Sequence, residues 1–206
     1  MIPSPAEQDA RNLAHQQARS DAVAAAIRAA IPDAAGLTAL DYGCGPGRIG
    51  LRLADHFAGV ILVDVDPEAV AQAEQAASGT PNASTLVLDL AATAPPPELR
   101  ADVIVSSLAW HHVLDLDALL ETLPVIAAGG RLLVADMDAD GGAYHADRPD
   151  FDGVHGFDRA DLVARVASHG YAKVTIADLW RGDKWVGGAL VPVSLFLLSA
   201  HIPIRR

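Results

Sequence analysis

The strongest chemical signal in the sequence is a glycine-rich turn, Leu40-Asp-Tyr-Gly-Cys-Gly-Pro-Gly-Arg-Ile-Gly50. Its alternate glycines, Gly43, Gly45 and Gly47, follow an apolar run and precede a stretch typical of a helix. Glycine tolerates positive φ and has no Cβ, so a ligand can lie directly against the backbone of such a turn. The start of the following helix would add unpaired N–H groups and a partial positive charge. The pattern predicts a binding site for a small cofactor.

Two classes of cofactor fit this turn. Gly45, Gly47 and Gly50 satisfy the G-x-G-x-x-G pattern of dinucleotide-binding turns, which on its own is a weak match. Asp41 favours the other class, because a carboxylate at this position would repel a pyrophosphate and attract the ammonium group of an amino-acid-like ligand. Asp64, at the end of the next apolar run, suits either ligand, since both have a ribose diol.

A second group of residues capable of chemistry consists of four histidines in the middle of the chain. His111 and His112 follow the fourth predicted strand, and His145 and His155 lie in an irregular segment further on. Histidine is the usual general base near neutral pH, so each of the four is a candidate to take a proton from a substrate. Tyr144 is a further candidate, as a hydrogen-bonding contact to the substrate.

The same four histidines raise the question of a metal site. Nearby acidic residues could join them, and imidazole with carboxylate ligands suits Mg, Mn or Fe. These acidic residues are Asp115, Asp138, Asp140, Asp147 and Asp152. No compact spacing such as His-x-x-x-His is present, and solvated acidic loops are common, so the sequence favours no metal.

Strand and helix signals alternate along the chain, which is typical of a parallel sheet with helices on both faces. Apolar runs predict strands at 37–41, 60–64, 85–89, 102–106, 131–136, 172–177 and 193–200. Capping and periodicity predict helices at 4–31 (one or two), 48–56, 67–77, 115–128 and 158–170. The segment 137–157 has no period and predicts a functional loop. A mobile segment containing Trp180 and Trp185 is expected before the last strand.

Composition limits the class of protein. The chain has 206 residues, of which 51% are hydrophobic and 20% charged, as in ordinary globular proteins. No apolar run reaches the roughly 20 residues of a membrane span, and the N-terminus lacks the features of a signal peptide. A net charge of −11 argues against nucleic acid as a partner. We therefore expect a soluble cytoplasmic protein with a single domain over 1–206, acting on a small molecule without nucleic acid or membrane.

The order of the motifs resembles that of class I S-adenosylmethionine-dependent methyltransferases, specifically the small-molecule branch similar to ubiquinone/menaquinone-biosynthesis methyltransferases. The resemblance covers roughly 37–200 and rests on LDYGCGPG, LVDVDP, LVLDL, DVIVSSLAWHHV and GGRLLVADMD. It implies an α/β, Rossmann-like fold with a mostly parallel seven-stranded sheet and one antiparallel strand near the C-terminus. Residues 1–35 would form a helical cap.

The resemblance also implies which residues contact the methionine portion of S-adenosylmethionine. These would be Gly43, Gly45 and Gly47, with Asp41 near the ammonium group of the cofactor.

The rest of the cofactor would be bound at the ends of the next strands. By the same resemblance, Asp64 would bind the ribose hydroxyls and Asp89 the adenine amino group. Leu90 would flank the adenine ring. Ser106 and Ser107 would lie beside the sulfonium.

The implied reaction is methyl transfer to a small-molecule acceptor by in-line displacement at the sulfonium methyl. Because that methyl is already activated, the protein mainly aligns the acceptor and excludes water. Two alternatives stay open: an NAD(P)-dependent oxidoreductase, based on the literal glycine pattern, and a protein that binds the cofactor without turnover. Carbon, oxygen and nitrogen acceptors all fit, as do a monomer and a homodimer.

Overall fold

The computed structural model describes residues 2–204, and its centre is a seven-stranded sheet. The strands are β1 (Thr38–Tyr42), β2 (Gly59–Asp64), β3 (Ala83–Val87), β4 (Val103–Ser107), β5 (Arg131–Met137), β6 (Ala172–Val186) and β7 (Ala189–His201). Their order in the sheet is β3-β2-β1-β4-β5-β7-β6. Strands β1 to β5 pair in parallel, whereas β7 is antiparallel to both β5 and β6. This confirms the predicted fold class.

Helices cover both faces of the sheet. They are α1 (Pro5–Ala30), α2 (Gly50–Leu53), α3 (Pro67–Ala76), α4 (Leu116–Ile126) and α5 (Arg159–Ser168). The start of α1 is fixed by a capping box, in which Ser4 and Glu7 satisfy each other's backbone N–H groups. Asp115 and Asp158 cap α4 and α5 through their side chains. Because α1 is continuous over Pro5–Ala30, the N-terminal segment predicted as one or two helices is one helix.

The sheet divides the hydrophobic core into two layers. Successive residues of β1 point to opposite faces, so Ala39 packs in one layer and Leu40 in the other. The layer with Ala39 contains residues of α1, α2 and α3, and the layer with Leu40 contains residues of α4 and α5. Asp41 follows the alternation of Ala39, so its carboxylate points towards the layer of α1 and α2.

The C-terminal hairpin corrects one prediction. Trp180 and Trp185 belong to β6, which extends to Val186 rather than ending at 177, so the segment that contains them is regular strand. The turn consists of Gly187 and Gly188, both with positive φ. Helix α1 is attached to this strand by two hydrogen bonds: the side chain of Asn12 donates to the carbonyl of Trp185 at 3.0 Å and accepts from its nitrogen at 2.8 Å.

Two further boundaries differ from the predictions. The helix expected over 48–56 is regular only at Gly50–Leu53, because the chain then turns through short i to i+3 contacts such as His56 N to Leu53 O at 2.9 Å. The third strand is Ala83–Val87 rather than 85–89, which places Asp89 in the loop after it.

No helix within residues 2–204 is long and apolar enough to cross a membrane. The single-domain prediction spans 1–206, and its positions 1, 205 and 206 lie outside the described residues.

Candidate active site

The glycine-rich turn connects the end of β1 to α2 at the carboxyl edge of the sheet. Gly43, Gly45 and Gly47 have φ values of 71°, 52° and 80°. Residues other than glycine rarely adopt such positive φ values. The backbone nitrogens of Gly43 and Cys44 both donate to the carbonyl of Val63, at 2.8 and 3.0 Å. The turn is thereby held against β2.

The three glycines are required for different reasons. A Cβ on Gly43 would lie 2.2 Å from the Cβ of Ala109, and one on Gly47 would lie 3.1 Å from Leu51 Cδ1. A Cβ on Gly45 would meet nothing within 4 Å. Gly43 and Gly47 therefore serve packing, whereas Gly45 exposes bare backbone to open space.

Asp41 is a buried acidic residue beside this turn, with 1% of its surface exposed. Its Oδ2 accepts a hydrogen bond from the backbone nitrogen of Gly50 at 2.8 Å. Its Oδ1 is buried and has no hydrogen-bond partner among the described residues. Burial, with a smaller contribution from the nearby charge of Asp64, raises the pKa of the Asp41 carboxyl to about 7 against the opposing effect of the hydrogen bond from Gly50. A buried carboxylate oxygen without a partner is costly, so this position suits a ligand of opposite charge.

A cavity of about 190 Å³ lies over the turn. Four of the residues predicted to bind a cofactor line it: Asp41, Gly43, Gly45 and Ser107. Its opposite wall includes residues of α1, among them Gln16 and Arg19. Of the residues assigned to the methionine portion of the cofactor, Asp41, Gly43 and Gly45 thus lie together in this cavity, and Gly47 is outside its lining.

Asp64, the last residue of β2, and Asp89, in the loop after β3, are outside the lining of this cavity. Asp64 Oδ2 accepts from the backbone nitrogen of Gly45 at 2.7 Å, and its Oδ1 accepts from that of Asp66 at 3.0 Å. Asp89 Oδ1 accepts from the nitrogen of Ala91 at 2.9 Å. Both carboxylates therefore support local backbone geometry at the sheet edge, and Asp64 also holds the turn through Gly45.

The side chains of two predicted cofactor residues point elsewhere. Ser106 is 1% exposed and donates its hydroxyl to the carbonyl of Tyr42 at 2.7 Å, because strand alternation turns it away from the face that Ser107 edges. Leu90 is 1% exposed and packs in the core layer with α4. The side chains of both Ser106 and Leu90 are thus buried in this structure.

Three of the four predicted histidines come together. His111, His112 and His145 each offer a ring nitrogen, and these atoms lie within 4.8 Å of one another. The ring of His155 is 6.0 Å from that of His145, outside this group. The lining of the cavity over the glycine turn contains none of the four.

The histidine cluster includes a residue that sequence reasoning missed. Asp136, at the end of β5, is fully buried, and its Oδ1 lies 2.7 Å from His111 Nδ1. Burial lowers the pKa of His145 to about 4 and, to a smaller extent, that of His112. His145 and His112 are therefore neutral at neutral pH.

A second cavity, of about 280 Å³, lies between α1 and the C-terminal hairpin. Gln16 and Arg19 line it as well as the cavity over the turn, so the two spaces adjoin. Tyr144 is one wall: its hydroxyl accepts from Arg19 Nη1 at 3.2 Å, and Lys184 Nζ lies 3.8 Å from its ring centre. Such a cation over an aromatic face is attracted by the ring.

His15 also lines this second cavity, and sequence reasoning did not find it. Its Nδ1 makes a short contact with the carbonyl oxygen of Asp183, and its ring packs edge-on to Trp180. A carbonyl oxygen only accepts, so Nδ1 carries the proton and Nε2 keeps its lone pair. The single available signal was its place on the polar side of a helix, which many solvated residues share.

The sheet order and the glycine turn define a Rossmann-like fold of the class I methyltransferase type. Residues 39–130 match the family model of the methyltransferase domain. This match extends from β1 to the end of the loop before β5, so it includes the glycine-rich turn.

Two curated relatives with methyltransferase names match parts of the chain. The chain is 30% identical over 125 residues to ribosomal protein L11 methyltransferase of Aeromonas hydrophila, covering 60% of this chain and 40% of the relative. It is 34% identical over 96 residues to an uncharacterized methyltransferase of Mycobacterium tuberculosis, covering 46% and 48%. The chain therefore spans less than half the length of the curated relatives it matches.

A solved structure shows the same fold. Magnesium protoporphyrin IX methyltransferase from Synechocystis PCC 6803, with bound S-adenosylhomocysteine, superposes with a TM-score of 0.63 at 20% identity. The superposition covers 90% of this chain and 82% of that one.

Proposed function

We propose that this protein transfers a methyl group from S-adenosylmethionine to a small-molecule acceptor. The observation that carries the proposal is the unpartnered, buried Oδ1 of Asp41 in the cavity beside Gly45. The ammonium group of S-adenosylmethionine would give this oxygen an oppositely charged partner. The pyrophosphate of NAD(P) would instead bring a second negative charge next to the Asp41 carboxylate, which disfavours the oxidoreductase alternative.

The residues around the turn divide the remaining work. Gly45 leaves space for the methionine portion, and Ser107 edges the cavity where the sulfonium would lie. Asp64 and Asp89 are proposed to bind the ribose hydroxyls and the adenine amino group. The bound cofactor supplies an activated methyl group, so the chain's own task is to align an acceptor and exclude water.

We place the acceptor in the cavity between α1 and the hairpin. It adjoins the cofactor cavity at Gln16 and Arg19, and its size suits a small molecule. Trp180 offers an apolar surface there, and Tyr144, held by Arg19, offers a hydroxyl for hydrogen bonding. This combination suits a compact acceptor with an apolar part and at least one oxygen.

His15 is the proposed general base for an acceptor that holds its proton near neutral pH. It lines the acceptor cavity, and its Nε2 is free to accept a proton because Nδ1 is bound to a carbonyl. The four histidines of the middle segment are absent from the described linings of both cavities. We therefore prefer His15 to them in this role.

The helical cap takes part in both sites on this proposal. Residues of α1 line the cofactor cavity and the acceptor cavity, which supports a single domain in which 1–35 covers the core at 37–200. We further propose that the protein works in the cytoplasm, as a monomer or a homodimer, without nucleic acid or membrane.

The proposal is tested by transfer of labelled methyl. The protein is incubated with methyl-labelled S-adenosylmethionine and panels of phenols, quinones and carboxylic acids. We expect label in one acceptor class, with release of S-adenosylhomocysteine, and slower transfer by Asp41→Asn at cofactor concentrations that do not saturate the variant. Binding of the cofactor with no transfer to any panel would contradict the small-molecule enzyme and favour the non-catalytic alternative.

A further inference from the structure

Two separate connections of the chain meet at the histidine cluster. His111 and His112 lie in the short helical turn after β4, and His145 lies in the segment between β5 and α5. The second connection is held against the first, because Val154 N donates to the carbonyl of His111 at 2.8 Å. A Cβ on Gly153 would lie 2.1 Å from that same carbonyl, so the close approach depends on a glycine.

The ring of His111 is oriented by a hydrogen bond to the carboxylate of Asp136. Asp136 accepts from His111 Nδ1 at 2.7 Å and also from three backbone nitrogens, those of Trp110, His111 and Met137. Because the carboxylate of Asp136 accepts from Nδ1 of His111, that nitrogen carries the ring proton. Nε2 of His111 therefore keeps its lone pair. A carboxylate that fixes a histidine in this way is the usual support of a metal-binding imidazole.

His145 contributes a nitrogen that the fold leaves without a partner. The residue is 3% exposed, and its Nδ1 is buried without a hydrogen bond to any residue in 2–204. Its ring stacks on Phe151 at a centroid distance of 3.8 Å and an angle of 6°. A buried ring nitrogen without a partner is costly, and a metal ion is one way to satisfy it.

We propose that His111, His112 and His145 form a binding site for a divalent first-row transition ion, with Zn²⁺ as the best match, and that Asp136 positions His111 in it. Three neutral imidazoles are a ligand set that Zn²⁺ accepts, with the fourth tetrahedral position left to water or another ligand. His112 is exposed, so this position is reached from solvent. The site would tie the loop of His145 to the end of β4, a role separate from methyl transfer.

Tetrahedral coordination of Zn²⁺ requires the three histidine side chains to move slightly closer together. Zn–N bonds of about 2.0–2.1 Å in a tetrahedron place neighbouring nitrogens about 3.3 Å apart. The three ring nitrogens here lie within 4.8 Å of one another, so they must close by at most about 1.5 Å. The exposed side chain of His112 can move by a change of rotamer, and small rotations of the two buried rings supply the remainder, since the ring centres of His111 and His145 are 5.3 Å apart.

The test uses the full chain without a polyhistidine tag, stripped with a chelator and titrated with Zn²⁺ by calorimetry. We expect one ion per chain with a Kd of about 1 µM or tighter, and a rise in Tm. Co²⁺ in place of Zn²⁺ should give the visible absorption bands of a low-symmetry nitrogen site. Absence of stoichiometric binding by the folded wild-type chain would overturn the proposal.

Variants assign the ligands. His112→Ala is chosen because the residue is exposed, so folding should be unaffected, and it should weaken Zn²⁺ binding at least about tenfold. Asp136→Asn should weaken it roughly 10- to 100-fold as a positioning residue and alter the Co²⁺ spectrum. The matched control is His155→Ala, an exposed histidine of the same loop, which should bind as the wild type does. Unchanged affinity in His112→Ala, or an equal loss in His155→Ala, would refute the assignment.

Discussion

The carboxylate of Asp41 and the backbone nitrogen of Gly50 lie 2.8 Å apart across the glycine turn. A side chain at Gly50 would prevent this contact, since its Cβ would lie 2.2 Å from Leu62 Cδ2 and 3.0 Å from Asp41 Oδ2. Gly50, the third glycine of the dinucleotide pattern, is thus explained by packing against β2. Gly50 is therefore not evidence for a bound pyrophosphate. Asp41, which accepts a hydrogen bond from Gly50 N, would repel one.

Replacing the buried carboxylate tests the proposed ammonium contact. Asp41→Asn keeps an oxygen that can accept from Gly50 N but removes the charge. A hydrogen bond to a charged group contributes about 1.5–3 kcal/mol, so the affinity for S-adenosylhomocysteine should fall roughly 10- to 100-fold. Calorimetric titration measures this affinity, and Asp21→Asn, which changes an exposed carboxylate of α1, is the matched control. Equal affinity in the Asn variant and the wild type would remove Asp41 from the site.

The same substitution should stabilise the free protein at high pH. The pKa of Asp41 is raised from 3.8 to about 7 by burial, so the native state holds its proton more tightly than the unfolded state. The contribution of Asp41 to stability is therefore lost as pH rises between these values, and Asp41→Asn is free of that loss. Thermal unfolding without ligand should show the variant's advantage in Tm growing from pH 4 to pH 8. An advantage independent of pH would contradict the raised pKa.

Alanine substitutions separate the packing role of Gly43 from the ligand-facing role of Gly45 in the glycine turn. Gly43→Ala meets Ala109 at 2.2 Å, so it should lower Tm by several degrees as an overpacking change. Gly45→Ala meets no atom within 4 Å, so its cost is about 1 kcal/mol of backbone strain. We expect Gly45→Ala to stay folded while losing affinity for S-adenosylhomocysteine. A variant that is both folded and fully able to bind would show that the cofactor does not approach Gly45.

The proposed base is tested by comparing kcat and KM in two variants. His15→Gln should lower kcat about 100-fold or more, within the usual contribution of general base catalysis, and leave the affinity for S-adenosylhomocysteine unchanged. Tyr144→Phe is the comparison: it removes a hydroxyl that accepts from Arg19 and would contact the acceptor, so it should mainly raise KM for the acceptor. A kcat of His15→Gln close to that of the wild type would assign the base elsewhere.

The sheet was largely predictable because its strands are short apolar runs bounded by turn residues. Val60 to Asp64 and Arg131 to Asp136 show this pattern plainly, and the structure agrees within one residue at each end. The second half of β6 was missed, since it mixes Trp180 and Trp185 with charged residues and glycine. Its strand conformation comes from pairing with β7 and from contacts with α1, which are not visible in local sequence.

The site was predictable where a local motif carries it. Asp41, Gly43 and Gly45 stand within five positions of one another, and the cavity contains all three. The histidine cluster and the acceptor cavity could not be predicted from the sequence, because both depend on contacts between distant segments. His111 and His145 are 34 positions apart, and Arg19 meets Tyr144 across 125. Such pairings follow from how an irregular loop folds back, for which spacing gives no rule.

Calorimetric titration of the wild-type protein with S-adenosylhomocysteine and with NAD⁺ decides whether this pocket binds an amino-acid-bearing cofactor. We expect heat of binding with S-adenosylhomocysteine at one molecule per chain and none with NAD⁺. Binding of NAD⁺ alone would contradict the assignment of Asp41 to an ammonium group and would restore the oxidoreductase alternative.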